Sequence, residues 1–245
     1  LLLLFVAAGC QAPSIPDPND PANAGPNLAH VVQADLKSVN DAANRMVVDQ
    51  QITPDQAKVL INQYEAGLCR GLDITKVSPE DAYIFGQIFL DAKDWEDARK
   101  VLTVAVKAAK TEDRRINDTL RLAQVYAELG DIDKAIEVAR FTYTTNGNDK
   151  APILPGVLFG VVPAGQGKGK DAELAKLLED AIRQHEQVVI NPSLESGKLF
   201  LSAKPILISR AWREVIRLYE ASGHPNLADK ARQSEQAAEP TRLRV

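Results

Sequence analysis

One spacing recurs along this chain and limits what it can fold into. It reads Ala82-x2-Phe85-Gly86-x2-Phe89, followed by Ala98-x3-Leu102. It returns as Thr119-x2-Leu122-Ala123-x2-Tyr126, followed by Ala135-x3-Ala139. A weaker version is Gly156-x2-Phe159-Gly160-x2-Pro163, and a last one is Trp212-x2-Val215-Ile216-x2-Tyr219 with Ala228 beyond it. Steps of three and four put these residues on one side of an α-helix. A small residue beside a bulky one lets a second helix come close, and the distal alanine belongs to that second helix. Each stretch therefore predicts a hairpin of two antiparallel helices. Such a hairpin cannot cover its own apolar side and must lean on the next.

The interval supports a repeat. Ala98 and Ala135 stand 37 residues apart, and Ala135 and Ala172 stand 37 apart again. Over residues 79–236 the pattern resembles the tetratricopeptide repeat, whose usual period is about 34. The resemblance implies an all-α fold, a right-handed α-solenoid of helical hairpins with about four repeats. Composition agrees: aromatics are only 5% of the chain, which suits close helix contacts better than a β-sandwich. A net charge of −4 in a mixed surface argues against a nucleic-acid binder. Two cysteines, Cys10 and Cys69, cannot make a disulfide framework.

Start and stop signals set the expected boundaries. Leu28 to Val48 is amphipathic, and Thr53-Pro54-Asp55-Gln56 is a capping box opening a helix through Val59, Leu60, Tyr64 and Leu68 to Gly71. This pair, 28–71, reads as a cap ahead of the repeats, with Cys69 a small buried hydrophobe. Ser78-Pro79 is expected to open the first repeat, and Gly86 and Ala98 to mark its close contact. Pro152, Pro155 and Pro163 are expected to hold the first helix of repeat three to about two turns. Its second helix is predicted to bury Leu174, Leu178 and Ala181. Asn191-Pro192 and Ser196-Gly197 read as turns inside an insertion, 187–205, which Phe200 and Leu201 pack back. Residues 237–245 read as a tail.

The first residues carry a different signal. Leu1 to Ala8 is an apolar run too short to span a bilayer, ended by Gly9-Cys10. Ala7-Ala8-Gly9-Cys10 resembles the lipobox of bacterial lipoproteins. That resemblance implies a signal-peptide remnant at 1–9, lipid on Cys10, and a cell-envelope location. Gln11 after the cysteine implies the outer membrane rather than the inner. Residues 10–27, with five prolines, read as an extended tether.

No catalytic, metal or cofactor motif survives inspection. The glycine run 165–170 misses the phosphate-loop pattern: Gln166 stands where the lysine of one frame belongs, and Val162 where the first glycine of the other belongs. His185-Glu186 lacks the second histidine of a zinc peptidase, since position 189 is Val189. No nucleophile elbow occurs. Acid pairs such as Glu112-Asp113 read as solvated surface.

In tetratricopeptide proteins the inward positions of each first helix line a binding groove. The resemblance implies that Tyr83, Gln87 and Leu90 do so here, with Leu120 and Gln124 in repeat two and Arg213 and Arg217 in repeat four. The lysine–asparagine clamp that some members of that family use for C-terminal carboxylates is not present: Tyr83 and Gln87 stand where it would begin. Arg210, Arg213 and Arg217 share one helix side. The expected function is a non-enzymatic, protein- or peptide-binding scaffold in the cell envelope, held to the membrane through Cys10. Two alternatives remain: an enzyme or small-ligand carrier using residues 151–205, and a self-associating structural lipoprotein.

Overall fold

Helix signals in the sequence become helices almost throughout, because caps, turns and apolar spacing agree locally. The computed structural model describes residues 28–145 and 153–238. Among these there is no strand. The chain divides after Val77 into two compact units. Cys10, the tether expected at 10–27 and positions 239–245 lie outside the described residues.

The first unit holds α1 (Leu28–Val48), α2 (Pro54–Gly71) and a 3-10 turn at Ile74–Lys76. The capping box forms as expected. Thr53 Oγ1 accepts from the Gln56 amide at 3.2 Å, and the Thr53 amide donates to Gln56 Oε1 at 2.8 Å. Ala57, Glu65, Leu68 and Cys69 of α2 are buried, packed with Val32 and Ala43 of α1 among the core residues. Val59 and Leu60, expected on the apolar side, are exposed. Ala57 and Leu68, eleven residues apart, define one helix face; Val59 lies nearly opposite it, and Leu60, three residues from Ala57, stands at its edge.

The second unit contains α3 (Ala82–Asp91), α4 (Trp95–Ala108), α5 (Glu112–Glu128) and α6 (Ile132–Thr145). It continues through a helical rod made of α7 (Leu154–Gly156), a π-helical turn (Val157–Val161) and α8 (Val162–Gly165). Then come α9 (Asp171–Glu186), α10 (Glu195–Ala221) and α11 (Pro225–Ala238). Consecutive helices pack in pairs: α3 on α4, α5 on α6, the rod on α9, α10 on α11. First helices also meet across pairs, α3 on α5 and α5 on the rod. Phe85, Phe89, Leu102, Ala98, Ala123, Ala135 and Ala139 are fully or almost fully buried, as the spacing predicts. Gly130 and Gly223 turn the second and fourth pairs at φ +86° and +75°.

Four departures are informative. Ser78 caps a separate turn rather than α3: its Oγ accepts from the Asp81 amide at 3.2 Å, and α3 starts at Ala82. At Gly86 the crowding neighbour is Leu102. A Cβ there would stand 2.4 Å from Leu102 Cδ2.

The rod of the third pair exceeds the two turns expected. Pro163 cannot donate to a carbonyl one turn back, and its ring crowds that carbonyl. The chain widens there instead: the Val162 amide donates to Val157 O, five residues back.

Finally, the expected insertion is a loop only as far as Leu194. Helix α10 begins at Glu195 and runs unbroken through Gly197 and Pro205. Gly197 is not a turn. It lets the Asn191 carbonyl approach, for a Cβ there would lie 2.0 Å from that oxygen.

Candidate functional site

The first helices of the second unit present a row of polar and apolar side chains, and α5 is its centre. On α5, Arg114, Asp118 and Arg121 fall three and four residues apart and therefore on one side. Asp118 is fully buried between the two arginines, with Arg114 Nε at 3.4 Å and Arg121 Nη1 at 3.3 Å. Burial pushes its carboxyl above the usual range, outweighing both arginines. Arg114 also lies over the ring of Tyr83. On α3 the Gln87 amide donates to both oxygens of Asp91, each at 2.8 Å. Burial raises the Asp91 carboxyl as well, opposed by Gln87 and by Arg121. Arg114 over Tyr83 ties α5 to α3, while Arg114 Nη2 and Asp118 Oδ2 stay buried without a hydrogen-bond partner.

Beside this cluster α5 and the rod leave an open groove of about 310 Å³. Asn117, Leu120, Arg121 and Gln124 line it from α5; Pro155, Gly156, Phe159 and Gly160 line it from the rod. The two glycines set the spacing of its walls. A Cβ on Gly156 would come within 2.8 Å of Leu120 Cδ1, and one on Gly160 within 2.9 Å of Gln124 Oε1. Phe159 sits at the rim, 46% exposed. Over its ring lies the guanidinium of Arg210 from α10, 4.7 Å from the centroid.

The residues singled out in the sequence are distributed over several places. Leu120 and Gln124 line the groove. Tyr83 lines a separate cleft of about 150 Å³ with Pro79, Ala105 and Arg114. Gln87 is committed to Asp91, and Leu90 is half-buried on the same helix. Arg213 pairs with Glu235 of α11 at 3.2 Å. Arg217 pairs with Glu214 and donates to Gln166. Neither arginine is among the groove-lining residues.

The spacing makes Phe159 the counterpart of Phe85, yet Phe85 is 1% exposed and Phe159 46%. The same Phe-Gly pair meets different neighbours. Gly86 packs on its own hairpin's Leu102, whereas Gly160 packs on Gln124 of the preceding hairpin. Spacing alone does not separate the two: both phenylalanines directly precede a glycine, and what differs is the helix that each glycine meets.

Lys168 of the glycine run donates to the Ala127 and Glu128 carbonyls at 2.7 and 3.1 Å, capping the end of α5. Phe200 stacks against His185 at 4.9 Å, while Leu201 is 45% exposed. Both ring nitrogens of His185 are buried without a hydrogen-bond partner. Among the described residues no group of histidine, cysteine and acidic side chains could hold a metal ion. None of the described helices is long and apolar enough to cross a membrane.

No protein-family model matches this chain, and neither a curated protein nor a solved structure does.

Proposed function

We propose that this chain is a non-enzymatic scaffold that binds an extended protein segment in the bacterial cell envelope. In this reading the hairpins are tetratricopeptide-like and stack as a right-handed solenoid, and lipid on Cys10 ties the chain to the membrane. One observation carries the reading. The groove between α5 and the rod is open, and it is rimmed by a half-exposed phenylalanine that helix packing would normally hide. Apolar rims with a few placed polar groups are the usual make-up of a binding surface. Pairing of successive helices, and of first helices across pairs, favours the stacked arrangement.

Site-specific photo-crosslinking in cells tests it. A photoreactive residue at Gln124, inside the groove, is expected to give a discrete adduct with another protein. One at Val104, exposed on the second helix of its pair, is expected to give none. Adducts at neither site, or equally at both, would count against a groove-borne function. Mass spectrometry of the native chain tests the anchor: a mature form that begins with diacylglyceryl-modified Cys10 is expected.

Self-association has its own supporting observation. Leu199 and Ile206 on the first half of α10, seven residues apart and so on one face, are 63% and 71% exposed. Ultracentrifugation of the unlipidated chain separates the two readings. A monomer that crosslinks through Gln124 is an adaptor, and a dimer lost on Ile206→Asp is a self-assembling protein.

A further inference from the structure

We infer that the groove takes a peptide segment bearing a carboxylate side chain next to a large apolar one, with Arg210 receiving the carboxylate and Phe159 the apolar group. This rests on the scaffold reading above and narrows it to one partner chemistry.

Charge carries the first part of the inference. The chain has 33 acidic residues against 29 basic ones, yet the eight described residues that line the groove include one arginine and no acid. Along α10 three arginines follow at three- and four-residue steps. Arg213 is matched by Glu235 and Arg217 by Glu214. Arg210 makes its one recorded contact with the Phe159 ring and has no carboxylate partner among the described residues. A guanidinium resting on a ring keeps its donors at the edge, in a plane, where a carboxylate can meet them in pairs. The ring also limits how far that side chain wanders, so less freedom is lost on binding.

Geometry carries the second part. Asn117 and Gln124 line the groove from one face of α5, seven residues apart. That is about 10 Å along the helix axis, the length of about three residues of extended chain. Side-chain amides offer both a donor and an acceptor and so suit a peptide backbone. Leu120 and Pro155 supply apolar lining between them, with Phe159 at the rim. Arg121, the other cation, is already bonded to Asp118. Arg210, over the rim residue Phe159 rather than among the lining residues, thus offers one positive charge with no acidic partner among the described residues, which fits a single carboxylate better than a doubly charged phosphate.

The test is selection of random peptides displayed on phage against the full chain, followed by titration of a selected, fluorescein-labelled peptide. Selected sequences are expected to carry Asp or Glu within two positions of an aromatic or large aliphatic residue. Arg210→Ala is expected to weaken binding about tenfold, and Arg213→Ala, one turn along, to leave it unchanged. Binding is also expected to fall as salt rises from about 0.05 M to about 0.5 M. Circular dichroism of both variants checks that their exposed substitutions leave the helices intact. Selected peptides without acidic residues, or peptides that bind the Arg210→Ala chain as they bind the parent, overturn the inference and leave the scaffold reading standing. Failure to select any peptide, together with no adduct at Gln124, removes both.

Discussion

Leu102 occupies the space that a side chain on Gly86 would need: a Cβ there would lie 2.4 Å from Leu102 Cδ2 and 2.7 Å from its Cγ. Both residues are buried, so neither can swing into solvent. This pair sets how closely α3 and α4 approach.

Gly86→Ala is therefore expected to destabilise the second unit. Alanine recovers about 1 kcal/mol of helix propensity, but overpacking a full core costs about 1–3 kcal/mol. A net loss of about 1 kcal/mol is the expected result in urea unfolding. In a Leu102→Ala background the clash is gone and the sign reverses: Gly86→Ala should then stabilise. A double-mutant cycle reads this directly.

His185 predicts an acid-sensitive fold. Burial, and secondarily the charge of Lys204, hold its imidazole down to about 4 from an ordinary 6.5. Above pH 6.5 the ring is neutral folded or unfolded and stability is unaffected. Between 6.5 and 4 the unfolded chain takes up a proton that the folded chain refuses, so stability falls. The loss reaches about 3 kcal/mol by pH 4. Asp91 and Asp118, raised by burial, act in the opposite direction near the lower end. Comparing the parent with His185→Leu from pH 7 to 4 isolates the histidine, and the difference in unfolding free energy should track this window.

Pro205 lies inside α10, where it deprives the helix of one amide donor. The acceptor one turn back belongs to Leu201, a residue 45% exposed. Pro205→Ala should raise stability by about 1–3 kcal/mol. A calorimetric melt that moves down instead would show that the ring's packing outweighs the lost bond.

Thr53 closes a reciprocal cap with Gln56 at the head of α2. Thr53→Ala is expected to cost about 1 kcal/mol. Hydrogen exchange should localise the effect, with faster exchange at the first amides of α2 and no change in α5.

Helix starts and turns were readable wherever the deciding interaction is local. The Thr53–Gln56 cap lies within four residues, and Gly130 turns the chain by its own backbone freedom. Ala98, Ala123, Ala135, Leu174 and Leu178 were readable as core because a single helix face repeats its demand every turn. Ser196-Gly197 misled for the same local reason. The dipeptide looks like a turn, but its glycine serves an approach by the Asn191 carbonyl that no short window shows.

Sequence alone determined that this chain is helical, where most of its helices begin and end, and which alanines they bury. Those outcomes depend on contacts within a turn or two, where residue type is decisive. Only tertiary structure decided that Phe159 faces outward while Phe85 is buried, that Arg210 meets the Phe159 ring and no acid among the described residues while Arg213 and Arg217 find acids, and that a groove opens beside α5. Those depend on which neighbouring helix each side meets, and that is a choice among residues tens of positions apart.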